Sequence, residues 1–204
     1  MNWDRFKDLL KSDLARVVGQ SKGLCSLPAL KSYYVSESFK VCFGFRLGSY
    51  IATKNNVFSK VLLFLIKIKY LGIKRKTGIQ LPLLTNVDGG VMFCHYSCIV
   101  IAQSVNIGKN VSIHQGVTIG RIFNGKYSGV PTIGDNVVIF SGAKVLGNIQ
   151  IGDNAVIGAN AVVTKNVPAN AVVAGVPAKI ISTDSSKCFN KEWGKYFHHS
   201  YSTL

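Results

Sequence analysis

Between residues 101 and 163 the chain repeats itself every six residues. Aliphatic side chains stand at Ile101, Ile107, Ile113 and Ile119, and again at Ile133, Ile139, Val145, Ile151, Ile157 and Val163. Gly follows directly at 108, 120, 134, 152 and 158. Two positions before most anchors stands another small or β-branched residue: Val105, Val111, Val117, Val137, Ala143, Ala155 and Ala161. A helix, at 3.6 residues per turn, cannot return one side to the core at this interval, and neither can an alternating strand. A short strand followed by a tight turn can. Each coil then pairs with the next and hides its edges, so the pattern predicts a parallel β-helix of hexapeptide repeats.

The pattern is interrupted once. Ile119 and Ile133 are fourteen residues apart, two more than two repeats need. The intervening "RIFNGKYSGVPT", with two glycines and a proline, is expected to loop out over residues 121–132, where a rigid scaffold tends to carry binding residues.

Before residue 77 the period is helical. "NWDRFKDLLKSDLARVV" spaces Phe6, Leu9, Leu10, Leu14 and Val17 on one face, with Asp4 and Asp8 near the favourable end of the dipole. "SESFKVCFGFRLGSYI" predicts another helix, capped by Ser36 or Ser38. In "VFSKVLLFLIKIKYLGI" the uninterrupted apolar run covers only Val61–Ile66, well short of the ~18 residues a membrane span needs. A buried helix is the expectation. The alternative is a membrane-surface helix, because Lys60, Lys67, Lys69, Lys74, Arg75 and Lys76 surround the run.

The expected organisation is a helical N-terminal region at 1–76, the β-helix at 77–181 and a tail at 182–204. Phe189, Trp193, Tyr196 and Phe197 of the tail are expected to dock on the domain, with His198 and His199 exposed to solvent.

With 48% hydrophobic and 16% charged residues, the 204-residue chain is no disordered segment. Its 24 Lys+Arg against 9 Asp+Glu leave +15, a surface suited to an anionic partner. No nucleic-acid module accompanies the charge, so nucleic acid is not the expected partner. Five cysteines without a C-x-x-C pair are no disulfide framework, which predicts reduced thiols in a cytoplasmic protein. The charged, helical start does not read as a signal peptide.

"FCHYSC" places His95 between Cys94 and Cys98. Zinc takes four ligands, and no second pair stands nearby in the sequence, so no metal is expected. His114, directly after an inward anchor, is expected to point out of the coil.

The repeats, together with "GVPAKI", resemble the hexapeptide-repeat acyltransferases. Within these, Gly78 to Ile181 is similar to the serine acetyltransferases, through "GIQLP", "VMFCH", "NVSIHQGVTIG", "AKVLGNIQIGDNAVIGANAVV" and "GVPAKI". The resemblance implies a left-handed β-helix, a homotrimer and acetyl-CoA as cosubstrate. It places His95 at the general base of that family's "M-L-D-H" motif. A hydroxyl must lose its proton as it attacks a thioester, and an imidazole base is typically worth ~10²–10⁴ in rate. Direct attack needs no acyl-enzyme. His114 and Gln80 are the secondary or orienting candidates, Gln80 standing where the family's imidazole-orienting aspartate belongs. Asp88 or an N-terminal carboxylate is the expected substitute. The resemblance also assigns acetyl-CoA to Gly120, Ser141, Ala159 and Lys179.

Three departures bear on the acceptor. Cys94 replaces an aspartate that helps bind serine, Val130 replaces a histidine of the loop's "D-R-H-P", and Gln80 carries no charge. The acceptor is therefore expected to meet Cys94, Arg121, Lys126, Tyr127 and Val130. It is expected to be a saccharide, lipid-linked or polymeric, as in the similar O-acetyltransferases of capsule, exopolysaccharide (colanic acid type) and O-antigen synthesis. Peripheral contact with the inner face of the membrane accompanies that expectation. The alternatives are a serine O-acetyltransferase of cysteine biosynthesis and a non-catalytic trimeric scaffold.

Overall fold

The computed structural model describes residues 1–18, 24 and 27–188. The tail aromatics, His198, His199 and Cys25 lie outside them. Four helices precede the coil: α1 (Trp3–Val18), α2 (Leu27–Val35), α3 (Glu37–Ala52) and α4 (Val57–Thr77).

The coil has three sides. The first stacks β1 (Ile79–Gln80), β4 (Ile99–Ile101), β7 (Thr118–Gly120), β10 (Lys144–Leu146) and β13 (Val162–Val163). The second stacks β2 (Asn86–Val87), β5 (Asn106–Ile107), β8 (Thr132–Ile133) and β11 (Gln150–Ile151). The third stacks β3 (Met92–Cys94), β6 (Ser112–His114), β9 (Val138–Ile139), β12 (Val156–Ile157) and β14 (Val172–Ala174), and β15 (Lys179–Ser182) closes its edge antiparallel. All other pairings are parallel and unshifted, which puts Phe93, Ile113, Ile139, Ile157 and Val173 in one inward column. Every six-residue anchor is buried. The coil begins a turn before the anchors become regular, at Ile79.

One line of corners is built from asparagines. Asn110, Asn136, Asn154 and Asn170 take left-handed φ of 56°, 56°, 58° and 61°, a region their short polar side chains tolerate. Their amides hydrogen-bond from coil to coil at 3.2, 3.1 and 3.0 Å.

The helices close the end of the coil at which it begins. Val41, Cys42, Phe45 and Tyr70 join the coil's apolar core. Ser36 caps α3 by accepting from Phe39 N at 3.2 Å. Asn56 and Ser59 form a capping box on α4, which ends at Gly78 with φ 68°. Gly44 lets α4 approach α3: a Cβ there would lie 2.9 Å from the Tyr70 ring.

Two polar residues anchor this lid. Arg46 on α3 donates from Nε to Asp13 Oδ2 at 2.8 Å and from Nη2 to Oδ1 at 3.2 Å. It also donates to the carbonyls of Val87 and Asp88 at 2.5 and 2.6 Å, and Asp13 accepts from Gly90 N at 2.8 Å. The pair is fully enclosed, with side chains 2% and 0% exposed.

The helix α4 departs from expectation. Only Ser59, Tyr70 and Thr77 of its residues are buried, whereas Val57, Phe58, Val61, Phe64, Leu65, Ile68 and Leu71 are exposed. It packs on α3 along one face and leaves the apolar face opposite uncovered.

Two tests follow from this packing. Arg46→Met strands a buried carboxylate and should cost about 3–5 kcal/mol, while Asp13→Leu/Arg46→Met should recover part of that loss. Urea unfolding of the three proteins decides, and a single-variant loss under ~1 kcal/mol contradicts the anchoring role. Second, burial, helped by His95, pushes His114 down to about 4 from 6.5. The unfolded chain then binds the extra proton, so stability is lost as pH falls from about 6.5 to about 4. In His114→Leu the urea midpoint should fall less over that window than in the parent, and an unchanged pH slope would count against the burial.

Candidate active site

Where the third side turns into the first, the alternation of β3 decides what is offered to solvent. Phe93 points into the coil and Cys94 outward, yet Cys94 is only 3% exposed. His95 then takes φ 53° in the turn and is exposed, as are Tyr96, Ser97 and Cys98. The backbone thus throws His95 off the strand at a sharp corner, and a left-handed conformation at a bulky residue often marks a functional position.

The same corner repeats one coil at a time, each rise about 5 Å. Gly116 N donates to Ser97 O, Gly142 N to Gln115 O and Asn160 N to Ser141 O, each at 2.9 Å. Ser97, Gln115 and Ser141 therefore lie on one line parallel to the coil axis, with Ala159 above them and His95 two residues before Ser97 in the longer first corner. Small residues dominate beyond the histidines, leaving an extended, shallow track. Gln115 Oε1 is buried on this track with no hydrogen-bond partner among the described residues.

Beside His95, the His114 and Phe140 rings stack along the outer face of the third side. Ring centroids are 6.4 Å apart for His95–His114 and 5.1 Å for His114–Phe140. Held neutral by burial, His114 places no second cation beside His95 near pH 7.

Burial pushes the Cys94 thiol up to about 12, against the pull of the Arg16 cation. A neutral thiol is neither a metal ligand nor a nucleophile. Among the described residues no His/Cys/Asp/Glu group could hold a metal ion. The described cysteines Cys42, Cys94, Cys98 and Cys188 are unbridged.

Arg16 reaches the same face from α1. Its Nη2 donates to Ser112 Oγ at 2.7 Å, and its Nε is buried with no hydrogen-bond partner among the described residues. Burial pushes the guanidinium down and the neighbouring Cys94 raises it, but arginine remains a cation in any case. No carboxylate pairs with it among the described residues. It lines a cleft of about 600 Å³ together with Asn110, Ser112, Asn136, Val138 and Asp184.

The other expected site residues divide between places. Ser141 and Ala159 share the His95 corner. Gly120 ends β7 at the next corner, where residues 121–131 loop out and Ile122 bridges Gly129. Arg121 and Lys126 are exposed there, whereas Tyr127 and Val130 pack on the coil's core. Lys179 begins β15 and is exposed.

Gln80 is exposed on β1 and lines a cleft with Leu71, Lys74 and Arg75, and no hydrogen bond joins it to His95 among the described residues. Of the carboxylates nearby, Asp88 pairs with Arg5, and Asp13 with Arg46 and Gly90.

Sequence reading missed Asp13, Arg16 and Gln115. Asp13 was detectable, because it interrupts the apolar face of Phe6, Leu10, Leu14 and Val17. Nothing in the spacing marks Arg16 or Gln115, whose environment comes from distant segments.

Residues 131–165 match the family described as "Bacterial transferase hexapeptide (six repeats)". The serine acetyltransferase of Buchnera aphidicola subsp. Acyrthosiphon pisum (strain APS) is 49% identical over 102 residues, covering 50% of this chain and 37% of that protein. The chain thus spans well under half the length of that curated relative. A solved serine acetyltransferase in complex with cysteine is 31% identical with TM-score 0.69, covering 88% of this chain and 71% of that one. Another, in complex with CoA, is 29% identical with TM-score 0.67, covering 88% and 71%.

These likenesses overturn the expected kinship with capsule, exopolysaccharide and O-antigen enzymes, and with it the saccharide acceptor. That expectation read the changes at 94 and 130 as the loss of a charged pocket and missed the cation that α1 brings. Three-sided coil, corner histidine and sequence likeness converge: the chain belongs to the hexapeptide-repeat acyltransferase family.

Proposed function

We propose that this chain is an acetyl-CoA-dependent serine O-acetyltransferase with His95 as general base. The observation that carries the reading is His95 itself, exposed at a corner of the coil and heading a track of small residues, in a chain similar to serine acetyltransferases. The serine hydroxyl attacks the thioester carbonyl while the His95 imidazole takes its proton. The tetrahedral adduct collapses to O-acetylserine, and the leaving thiolate of CoA recovers the proton. Neutral His114 supports this step, because a second cation would oppose the imidazolium that forms. Acetyl-CoA lies along the track past Ser141 and Ala159, where buried Gln115 Oε1 offers an acceptor to an amide N–H.

The acceptor's carboxylate is assigned to Arg16. Side chains at Ser112 and His114 share one face of β6, about 7 Å apart, so the guanidinium on Ser112 lies roughly one small amino acid away from the histidines. Arg16 supplies a cationic partner for the carboxylate that Val130 does not, and it does not replace the anion missing at Cys94.

The assembly is proposed to be a homotrimer. Within one chain the extruded loop and Gly120 stand at a different corner from His95, and a neighbouring chain can bring its own loop to that track. Three copies then share three equivalent sites.

Thiol release from acetyl-CoA with L-serine is the test. His95→Gln should lower kcat by ~10² or more at unchanged circular dichroism, and near-normal turnover rejects the base. Arg16→Gln should raise the KM for L-serine ~10-fold or more, leave the KM for acetyl-CoA alone and hardly affect L-serinamide, which has no carboxylate. Absence of any release with L-serine in the folded parent protein rejects the acceptor.

A further inference from the structure

We propose that the outward face of α4 is a docking surface for an anionic phospholipid bilayer, on which the helix lies parallel to the membrane plane. The proposal is independent of the catalytic reading.

The face is apolar from the start of the helix to Leu71. Val57, Val61, Phe64, Ile68 and Leu71 follow one another at three- and four-residue steps, and Phe58 and Leu65 widen the stripe on one side. Their exposures are 79%, 58%, 63%, 55%, 42%, 76% and 57%. Isolated exposed aliphatics need no explanation, but a continuous stripe of seven between Val57 and Leu71 marks an interaction site. It is not left over from packing against the domain: Ser59, Tyr70 and Thr77 point the opposite way and are buried. The helix therefore uses the face that carries Tyr70 against the domain and leaves the apolar stripe opposite it uncovered.

The borders of the stripe select the occupant. At 100° per residue, Lys60, Lys67 and Lys74 fall along one edge, and Lys69 and Lys76 along the other. Arg75 ends the stripe. No Asp or Glu occurs from residue 38 to residue 87, and the nearest acid, Glu37, is already paired with Lys40 and Lys76. An apolar stripe between two rows of lysines is the arrangement of an interfacial helix: the apolar side chains sink to the acyl boundary while the long cationic ones reach the headgroups. A second copy of this chain fits poorly, since face-to-face pairing would bring like-charged rims together with only Glu37, already shared by Lys40 and Lys76, beside them. Anionic headgroups neutralise both rims at once.

No helix among the described residues is long and apolar enough to cross a membrane, so binding through α4 is to the surface. The α4 caps fix this geometry. The Asn56–Ser59 box and Gly78 hold both ends, and the Gly44 contact with Tyr70 keeps the opposite face on α3.

The test is co-sedimentation of the full chain with sucrose-loaded vesicles of phosphatidylcholine alone or with three-tenths phosphatidylglycerol. Binding is expected to the anionic vesicles only. Net charge alone can attract a +15 protein, so the deciding variant keeps every charge: Phe64→Ser/Ile68→Ser should weaken binding ~10-fold or more, with circular dichroism and sedimentation velocity unchanged. Lys60→Gln/Lys67→Gln should also weaken binding and reduce its salt dependence. Equal binding by the serine variant, or no binding by the parent, overturns the proposal. A change of assembly size in the serine variant overturns it too, in favour of contact between copies.

Discussion

Every coil of this molecule rests on the one before it through the same small set of inward side chains. A β-helix has no second layer to pack against, so its core is the column in which one aliphatic sits on its equivalent a coil away. Phe93, Ile113, Ile139, Ile157 and Val173 form one such column, and any residue out of step would move its neighbours to the wrong face. This requirement holds the corners in line. Because they are in line, Ser97, Gln115 and Ser141 share an axis although they are distant in the chain, with His95 in the first of these corners.

A stack of coils also has an exposed first turn, and the N-terminal helices exist in part to close it. Apolar contact from Val41, Phe45 and Tyr70 does most of this. Arg46 and Asp13 add direction, tying α1, α3 and the segment from Val87 to Gly90 into one unit. A buried ion pair adds little net stability compared with well-packed apolar groups, but it penalises any arrangement that separates its members. The same docking carries Arg16, one turn further along α1, onto the face that bears Ser112 and His114. The lid and the proposed acceptor side of the site are thus positioned together.

The coil was legible because its period is imposed residue by residue, and a repeat of six has no competing explanation. Three of the four helices were legible from their 3.6-residue spacing, and the Ser36 cap with them, whereas α2 was not read from the sequence. What escaped was the outward environment. The apolar run of α4 looks like core when read as a line, and only three dimensions show that α3 covers one face of it. The likeness to a known family pointed to His95, while the changes at Cys94 and Val130 suggested a lost amino-acid pocket. Arg16 lies 78 residues from Cys94 in sequence and beside it in space, and no local pattern records that proximity.

The extruded loop has a consequence for how such a protein can change. It leaves β7 after Gly120 and returns at Thr132 into the register set by β5 and β11, with Ile133 stacked between Ile107 and Ile151. Both of its ends are fixed by coils that do not depend on what lies between them. Lengthening it therefore costs little more than closure entropy, about 0.6 kcal/mol for each doubling. Residues 121–131 amount to an open slot in an otherwise rigid frame. New side chains can be tried over evolutionary time at its exposed positions, such as Arg121 and Lys126, without renegotiating the core that Tyr127 and Val130 touch, while the same insertion inside any coil would dismantle it.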